Sequence, residues 1–407
     1  LTSTDEIETR YAAMLGEVRE RGHAWRPGVK QALHAVPREA FIPEATIEEA
    51  LDAHTAYVTK RAADGRSLSS ASAPTIVALM LDQLDVQLGH RVLEIGAGTG
   101  YNAALLSHLV GRNGHVVTVD IDPDATTRAR TALNITGHTR VEVITGDGAD
   151  GAPGCGEFDR IVITAGAWDV PPAWTEQLAP DGRLVLPLRW RGQTRAVVST
   201  HHPDRQLLRS DSMELCGFIP MTSPDGELEH PLDDYATTLH YDRDQEDIAP
   251  TGLHNILEQS GLEVWSGITI GHMEPVDGVW MRLSADPGAA WIKTDAKLLD
   301  ATGRPHRFRP QRTSCLIKGD SLALFRFRSL PDTERTEDVA GELGVLGFGP
   351  AGPKLVDRVL AAIHTWDTDR THQPEFTLHP ADTPDHELPD GTVIDKIHRR
   401  LVLRYPN

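Results

Sequence analysis

The segment Val92-Leu93-Glu94-Ile95-Gly96-Ala97-Gly98-Thr99-Gly100-Tyr101 constrains this chain more than any other. A short apolar run, residues 91–95, enters a glycine-rich turn, and an apolar helical stretch, residues 101–110, leaves it. The alternation then continues. Strands are predicted at 116–120, 141–144, 161–164 and 183–187, with helices at 124–133 and 172–178. Strands separated by helices imply βαβ units, a parallel sheet and right-handed crossovers. The fold class is therefore α/β, with a doubly wound, Rossmann-like domain.

The flanking regions read differently. Ile7, Tyr11, Met14, Leu15 and Val18 recur at helical spacing within residues 1–45, and Pro37 and Pro43 end that region. Residues 46–70 are polar and loop-like, and Pro74 suits the first turn of a helix through Val77, Leu81 and Leu84. Between positions 225 and 247 nine acidic residues face one basic residue, Arg243, which reads as an exposed linker. Residues 250–407 read as α+β. Helices are predicted at 254–258 and 354–366, and strands at 264–269, 280–283, 314–317, 322–328 and 401–405. The expected organisation is a catalytic domain (1–218), an acidic linker (219–249) and a C-terminal α+β domain (250–407).

Forty basic against 59 acidic residues give a net charge of −19. That argues against general nucleic-acid binding and against an anionic membrane surface, both of which need clustered cations. Cys155, Cys216 and Cys315 are odd in number and form no C-x-x-C, which argues against a disulfide framework or a cysteine zinc site. The histidines show no H-E-x-x-H, and no metal site is expected. No apolar run approaches the roughly 20 residues of a membrane span, and the polar, acidic start does not read as a signal peptide. The expectation is a soluble, cytoplasmic protein of unknown oligomeric state.

The glycines are spaced G-x-G-x-G, whereas a dinucleotide fingerprint reads G-x-G-x-x-G and receives a pyrophosphate. Glu94 lies two residues before the first glycine, and so close an acid suits a cationic ligand. S-adenosylmethionine carries a sulfonium and an ammonium and fits. Asp120, 20 residues after Gly100, ends the second strand, where a carboxylate accepts from ribose hydroxyls. Asp147 follows the third strand and can accept from an adenine amino group. The expected donor-binding set is Glu94, Gly96, Ala97, Gly98, Asn102, Asp120, Ile121, Asp147, Gly148 and Thr164.

Residues 36 to about 188 resemble the protein L-isoaspartyl O-methyltransferase family. The pieces that carry the resemblance begin with Val36-Pro-Arg-Glu-Ala-Phe-Ile-Pro43, Ser72-Ala-Pro74 and Val92 to Tyr101. Gly146-Asp-Gly148, the stretch Phe158 to Ala165 and the stretch Gln177 to Pro187 follow in the family's order. The resemblance implies a class I methyltransferase fold and methyl transfer to an aspartyl or isoaspartyl carboxylate. The family's substrate loop typically reads G-Q-T-I-S-Q-P. Here it reads Leu68-Ser69-Ser70-Ala71-Ser72-Ala73-Pro74, so the glutamines are lost, Ser70 falls at the threonine and Ser72 at the active-site serine. With the long C-terminal region, this looks like the actinobacterial branch that methylates an aspartate of a ribosomally made, modified precursor peptide. The resemblance implies that the ester collapses to an aspartimide, which persists or opens to isoaspartate.

An aspartate with a pKa of about 3.9 is ionised at neutral pH, so methyl transfer to it needs no general base. Serine hydroxyls can position the carboxylate without adding charge. Ser72 is the first candidate for that role and Ser70 the second, the competing reading being that they cap the following helix. Tyr57 and Trp168 are candidates for lining the substrate pocket, with core packing as the alternative for each and for Trp174. The basic residues Arg304, His306, Arg307, Arg309 and Arg312 are candidates for meeting an acidic peptide. Repair of isoaspartyl proteins and a non-catalytic peptide-binding module are the competing functions.

Overall fold

Parallel strands buried on both faces carry unbroken apolar runs, and the stretch after residue 90 is built that way. The structure, a computed structural model, describes residues 4–202, 207–223, 226–246, 248–272, 274–301, 311–331 and 339–405. Helices α1 (Thr4–Glu20), α2 (Pro27–Ala35) and α3 (Ile47–Ala50) lead to a hairpin of β1 (Tyr57–Arg61) and β2 (Ser67–Ala71). The doubly wound part follows as α4 (Pro74–Leu84), β3 (Arg91–Ile95), α5 (Tyr101–Val110), β4 (His115–Asp120), α6 (Pro123–Ile135), β5 (Glu142–Thr145), β6 (Phe158–Ile163) and α7 (Pro172–Glu176). The long strands β7 (Leu178–Trp190), β8 (Gln193–His202) and β9 (Leu207–Leu215) then run antiparallel to one another.

The order β5-β4-β3-β6-β7 is parallel throughout. Its neighbours switch sides at β3, the point at which such sheets open a ligand crevice beyond their C-terminal ends. Pro74 and Pro123 sit at helix starts, where the missing N–H costs nothing. Asp122 caps α6 by accepting from the Asp124 amide at 3.0 Å. One face of the sheet packs on α1, α2, α4 and α5 through residues such as Val18, Leu33, Leu81 and Leu105.

The second sheet comprises β10 (Glu227–Pro231), β11 (Thr237–Asp242), β12 (Leu262–Ile270), then after α8 (Asp277–Leu283) β13 (Ala289–Thr294), and after α9 (Ala296–Ala301) β14 (Arg312–Lys318), β15 (Ser321–Ser329) and β16 (Gly341–Phe348). Its order is β10-β11-β13-β14-β15-β16-β12. Helix α10 (Gly352–Thr368) lays Leu355, Val359, Ile363 and Trp366 on it. The chain then returns. Strands β17 (Glu375–Pro380), β18 (Thr392–Asp395) and β19 (Arg399–Arg404) extend the first sheet to ten strands, with β17 pairing β9.

Four expectations change here. Residues 219–249 are not a solvated linker, because β10 and β11 lie within them and Asp242 is buried. The Asp242 charge is met by Lys396 Nζ at 3.1 Å and the Arg191 amide at 2.8 Å. Residues 250–407 are not one unit, because 375–404 complete the first sheet. Residues 280–283 are helical rather than extended. Val279 and Leu283 face α10's core while Met281 enters the first sheet's core, so a helix held between two cores mimics a strand's alternation. The polar stretch 57–71 forms a hairpin whose serines face a cleft instead of a core, which hid it from apolar periodicity. Among the described residues no helix is long and apolar enough to cross a membrane, and no cluster of three metal-ligating side chains occurs.

Candidate functional site

A cleft of about 960 Å³ opens at the C-terminal ends of β3, β4, β5 and β6. This lies at the upper end of the roughly 300–1,000 Å³ typical of small-molecule sites. One wall is the glycine turn. A Cβ on Gly96 (φ +106°) would lie 2.4 Å from Thr164 Oγ1, so only glycine fits. At Gly98 a Cβ would meet nothing nearer than the Ser70 carbonyl oxygen, at 3.7 Å. The β2 backbone therefore hangs directly over the turn.

Glu94 is fully buried at the base of the cleft. It accepts from Asn102 Nδ2 at 2.8 Å and from Thr118 Oγ1 at 2.6 Å. Burial pushes its carboxyl up to about 7, against the two hydrogen bonds, which favour the anion, and with Asp120 adding repulsion. Each Asp120 oxygen accepts one backbone N–H, Gly98 at 3.0 Å and Asp122 at 3.0 Å, and keeps a lone pair toward the cleft. Ile121 beside it is 56% exposed and lines the cleft. Asp147 and Gly148 close the far end. Asp147 is exposed and accepts from the Ala149 amide at 2.9 Å.

Of the residues singled out from sequence, Glu94, Gly96, Ala97, Gly98, Asn102, Asp120, Ile121, Asp147, Gly148, Thr164, Ser70 and Ser72 all line this cleft. Several of them also brace the site. Asn102 orients Glu94, and Thr164 donates to the Gly96 carbonyl at 2.7 Å. Neither serine caps α4, since its N-cap is Ala73, with no side-chain cap. Among the described residues neither serine hydroxyl has an intramolecular hydrogen bond.

Tyr57 and Trp168 do not line the cleft. Tyr57 packs on the small cluster of Ile42, Ala50 and Ala71. Trp168, 6% exposed, lies under the Arg189 guanidinium at 4.5 Å. Trp174 is fully buried and donates to the Gly148 carbonyl at 2.8 Å, so it shapes the cleft floor from behind. Of the basic run, Arg304, His306, Arg307 and Arg309 lie outside the described residues. Arg312 stacks on Trp291 at 4.4 Å.

Sequence reasoning missed three contributions. Arg38, 1% exposed, donates to the carbonyls of Ala50 (2.7 Å), Ser72 (2.8 Å) and Ala71 (3.4 Å), clamping the serine loop from below. Its place in Val36-Pro-Arg-Glu was the available signal. Residues 217–222 form the opposite lip, tied to Gly166 by the Ile219 carbonyl and the Met221 amide, each at 2.8 Å. Glu229 and Lys293 reach the cleft from the second sheet. Nothing local in the sequence marks these last two contributions, since the fold alone brings them there.

A buried acid whose ionisation is favoured by an arriving cation has a pH signature. Donor affinity is expected to be flat above about pH 8 and to weaken about tenfold per unit below pH 7, because Glu94 must ionise to bind. Without ligand the fold holds this proton more tightly than the unfolded chain does. That contribution therefore costs stability progressively as pH rises from about 4.5 to about 7. Calorimetry in buffers of different ionisation enthalpy would show proton release near neutrality, and Glu94→Gln should abolish it.

A parallel β5-β4-β3-β6-β7 sheet, with a glycine turn after β3 and a carboxylate after β4, is the arrangement of a class I S-adenosylmethionine-dependent methyltransferase, the class to which the family match assigns the chain. Residues 9–226 match the family described as Protein-L-isoaspartate(D-aspartate) O-methyltransferase. The chain belongs to that family and is an S-adenosylmethionine-dependent O-methyltransferase. The protein-L-isoaspartate O-methyltransferase of Methanopyrus kandleri is 36% identical over 228 residues, covering 56% of this chain and 97% of the relative. That of Hyperthermus butylicus is 35% identical, covering 54% and 90%. Among solved structures, a protein-L-isoaspartate O-methyltransferase aligns with 90% of this chain and 96% of its own, at 19% identity and TM-score 0.49.

Proposed function

We propose that this enzyme methylates the side-chain carboxylate of an aspartate in a modified precursor peptide. The observation that carries the reading is the pair of unengaged hydroxyls, Ser70 and Ser72, on the loop above the Gly98 turn. The donor-side residues suit S-adenosylmethionine by their chemistry. Among the described residues Glu94 is an acid without a cation; Asp120 has lone pairs for a diol, and Ile121 offers an apolar face to a purine. When bound, the cofactor supplies an electrophilic methyl group on a sulfonium sulfur.

The protein's own task is positioning. Ser72 and Ser70 would donate to one oxygen of the acceptor carboxylate and leave the other free to accept the methyl group. Orientation of this kind lowers a barrier by roughly 7–11 kcal/mol in favourable cases. No proton has to be removed first, since the acceptor is already an anion. The carboxylate oxygen would take the methyl group that the bound donor supplies, and the resulting ester would lose methanol when the following backbone nitrogen attacks its carbonyl and closes the ring. That second step needs no group from this cleft.

Ser72→Ala is expected to lower kcat about 10–100-fold with donor Kd unchanged, and Ser70→Ala to have a smaller effect. Methyl-transfer assays beside calorimetry of donor binding check both. Repair of isoaspartyl residues is the second reading, favoured by the relatives' common description. Assaying a simple isoaspartyl peptide against a constrained aspartyl precursor separates the two, because repair requires turnover of the simple peptide.

A further inference from the structure

The second sheet does more than pack against the first. The family match ends at residue 226, and the Methanopyrus relative is 97% accounted for by 56% of this chain. Yet Glu229 on β10 and Lys293 on β13, both beyond that point, line the same cleft as Ser70 and Ser72. Strand alternation puts Lys293 there, since its neighbours Ile292 and Thr294 are buried while its own side chain is exposed.

The charges around the acceptor side are uneven. His54 Nε2 lies 3.2 Å from Glu17, and Arg66 Nε lies 2.7 Å from Asp64. Asp64 and, more weakly, Glu229 favour the charged form of Arg66, so β10 faces the hairpin tip across the entrance. Lys293, by contrast, forms no ion pair among the described residues. Its direct cross-strand partner is another cation, Arg312, which places its guanidinium on Trp291 (4.4 Å) and donates to the Gly192 carbonyl (2.7 Å). Like charges directly opposite on a sheet are destabilising. Glu227 favours the charged form of Arg312. Among the described residues Lys293 has no such ion-paired acid, which in a chain with 59 acidic residues is a feature that folding alone does not call for.

We propose that Lys293 reads a second carboxylate on the peptide substrate, close to the residue that is methylated. This rests on the carboxylate-methylation reading above. Asp120, Asp147 and Glu229 all repel an acidic peptide, so a substrate with an extra acid needs a cation at the acceptor end to enter in one orientation. The second sheet is then a specificity wall that admits acid-flanked aspartates and disfavours neutral ones.

The test measures binding, by fluorescence anisotropy in the presence of S-adenosylhomocysteine. The probes are a labelled Glu-Gly-Asp-Gly-Glu-Gly peptide and its twin with both Glu replaced by Gln. The full-length protein is expected to prefer the Glu peptide about fivefold, the scale of one partly exposed ion pair. The preference should shrink as salt rises. Lys293→Glu should erase or reverse it, and Lys293→Arg should keep it. Equal affinities, equal absence of binding, or a preference that survives in Lys293→Glu overturns the proposal. Methyl transfer to the same peptides is scored separately, so selective binding without any transfer would fault the reaction and leave the recognition standing.

Discussion

Arg38→Met is expected to destabilise the protein by about 3 kcal/mol and to lower kcat about 100-fold. The guanidinium gathers three carbonyls, from Ala50, Ala71 and Ser72, with no carboxylate among its hydrogen-bond partners. Methionine fills similar space but leaves those buried acceptors unmet, at about 1–3 kcal/mol each before relaxation. Losing the desolvation cost of the Arg38 charge offsets part of this. The kinetic loss comes from the same contacts. Ser72 is held through its own carbonyl, and a misplacement of about 1 Å in a reacting geometry costs about 100-fold. Urea unfolding gives the first quantity and methyl-transfer kinetics the second. Donor Kd should change little, because Arg38 does not line the cleft. Arg38→Lys should recover part of both.

Gly96→Ala is expected to weaken donor binding by at least about 100-fold. The new methyl would meet Thr164 Oγ1 at 2.4 Å, and that hydroxyl is fixed by its bond to the Gly96 carbonyl. A φ of +106° adds backbone strain of about 1–3 kcal/mol for any residue with a Cβ. The turn must therefore shift, taking with it the Gly98 amide that holds Asp120. Gly98→Ala is the contrast. At φ +51° alanine costs about 1–2 kcal/mol of backbone strain, but its Cβ meets nothing nearer than the Ser70 carbonyl oxygen at 3.7 Å, so no neighbour has to move. It should lower stability by about that amount and weaken donor binding less than Gly96→Ala does. Calorimetric titration of both variants with S-adenosylmethionine checks the ordering.

What could be read from the sequence follows from how local each signal was. The strand, turn and helix from residue 91 to residue 110 were legible because parallel strands carry unbroken apolar runs and because three glycines at two-residue spacing mark a ligand turn. Glu94, Asp120 and Asp147 were legible for the same reason, as acids at successive strand ends. The serine loop was legible only through a family resemblance, since its hairpin has no apolar alternation. For Tyr57 and Trp168 pocket lining and core packing both stay open in sequence, because an aromatic near a crevice looks the same whether it faces in or out. Arg189 stacking settles Trp168 as packing. Asp242 and Lys396, 154 positions apart, neutralise each other in the interior, so an acidic stretch that reads as solvated becomes a strand. No window of sequence contains such a pair.

The central claim is that a carboxylate oxygen on a bound peptide receives the donor's methyl group. Mass spectrometry of an aspartate-containing acceptor peptide, after incubation with isotopically methyl-labelled S-adenosylmethionine, tests it most directly. The label should appear first as a base-labile ester on the aspartate. It should then leave as methanol while the peptide ends one water lighter than it began. Label that resists mild base, on nitrogen or sulfur, or no transfer at all from a donor-bound enzyme, would contradict the account.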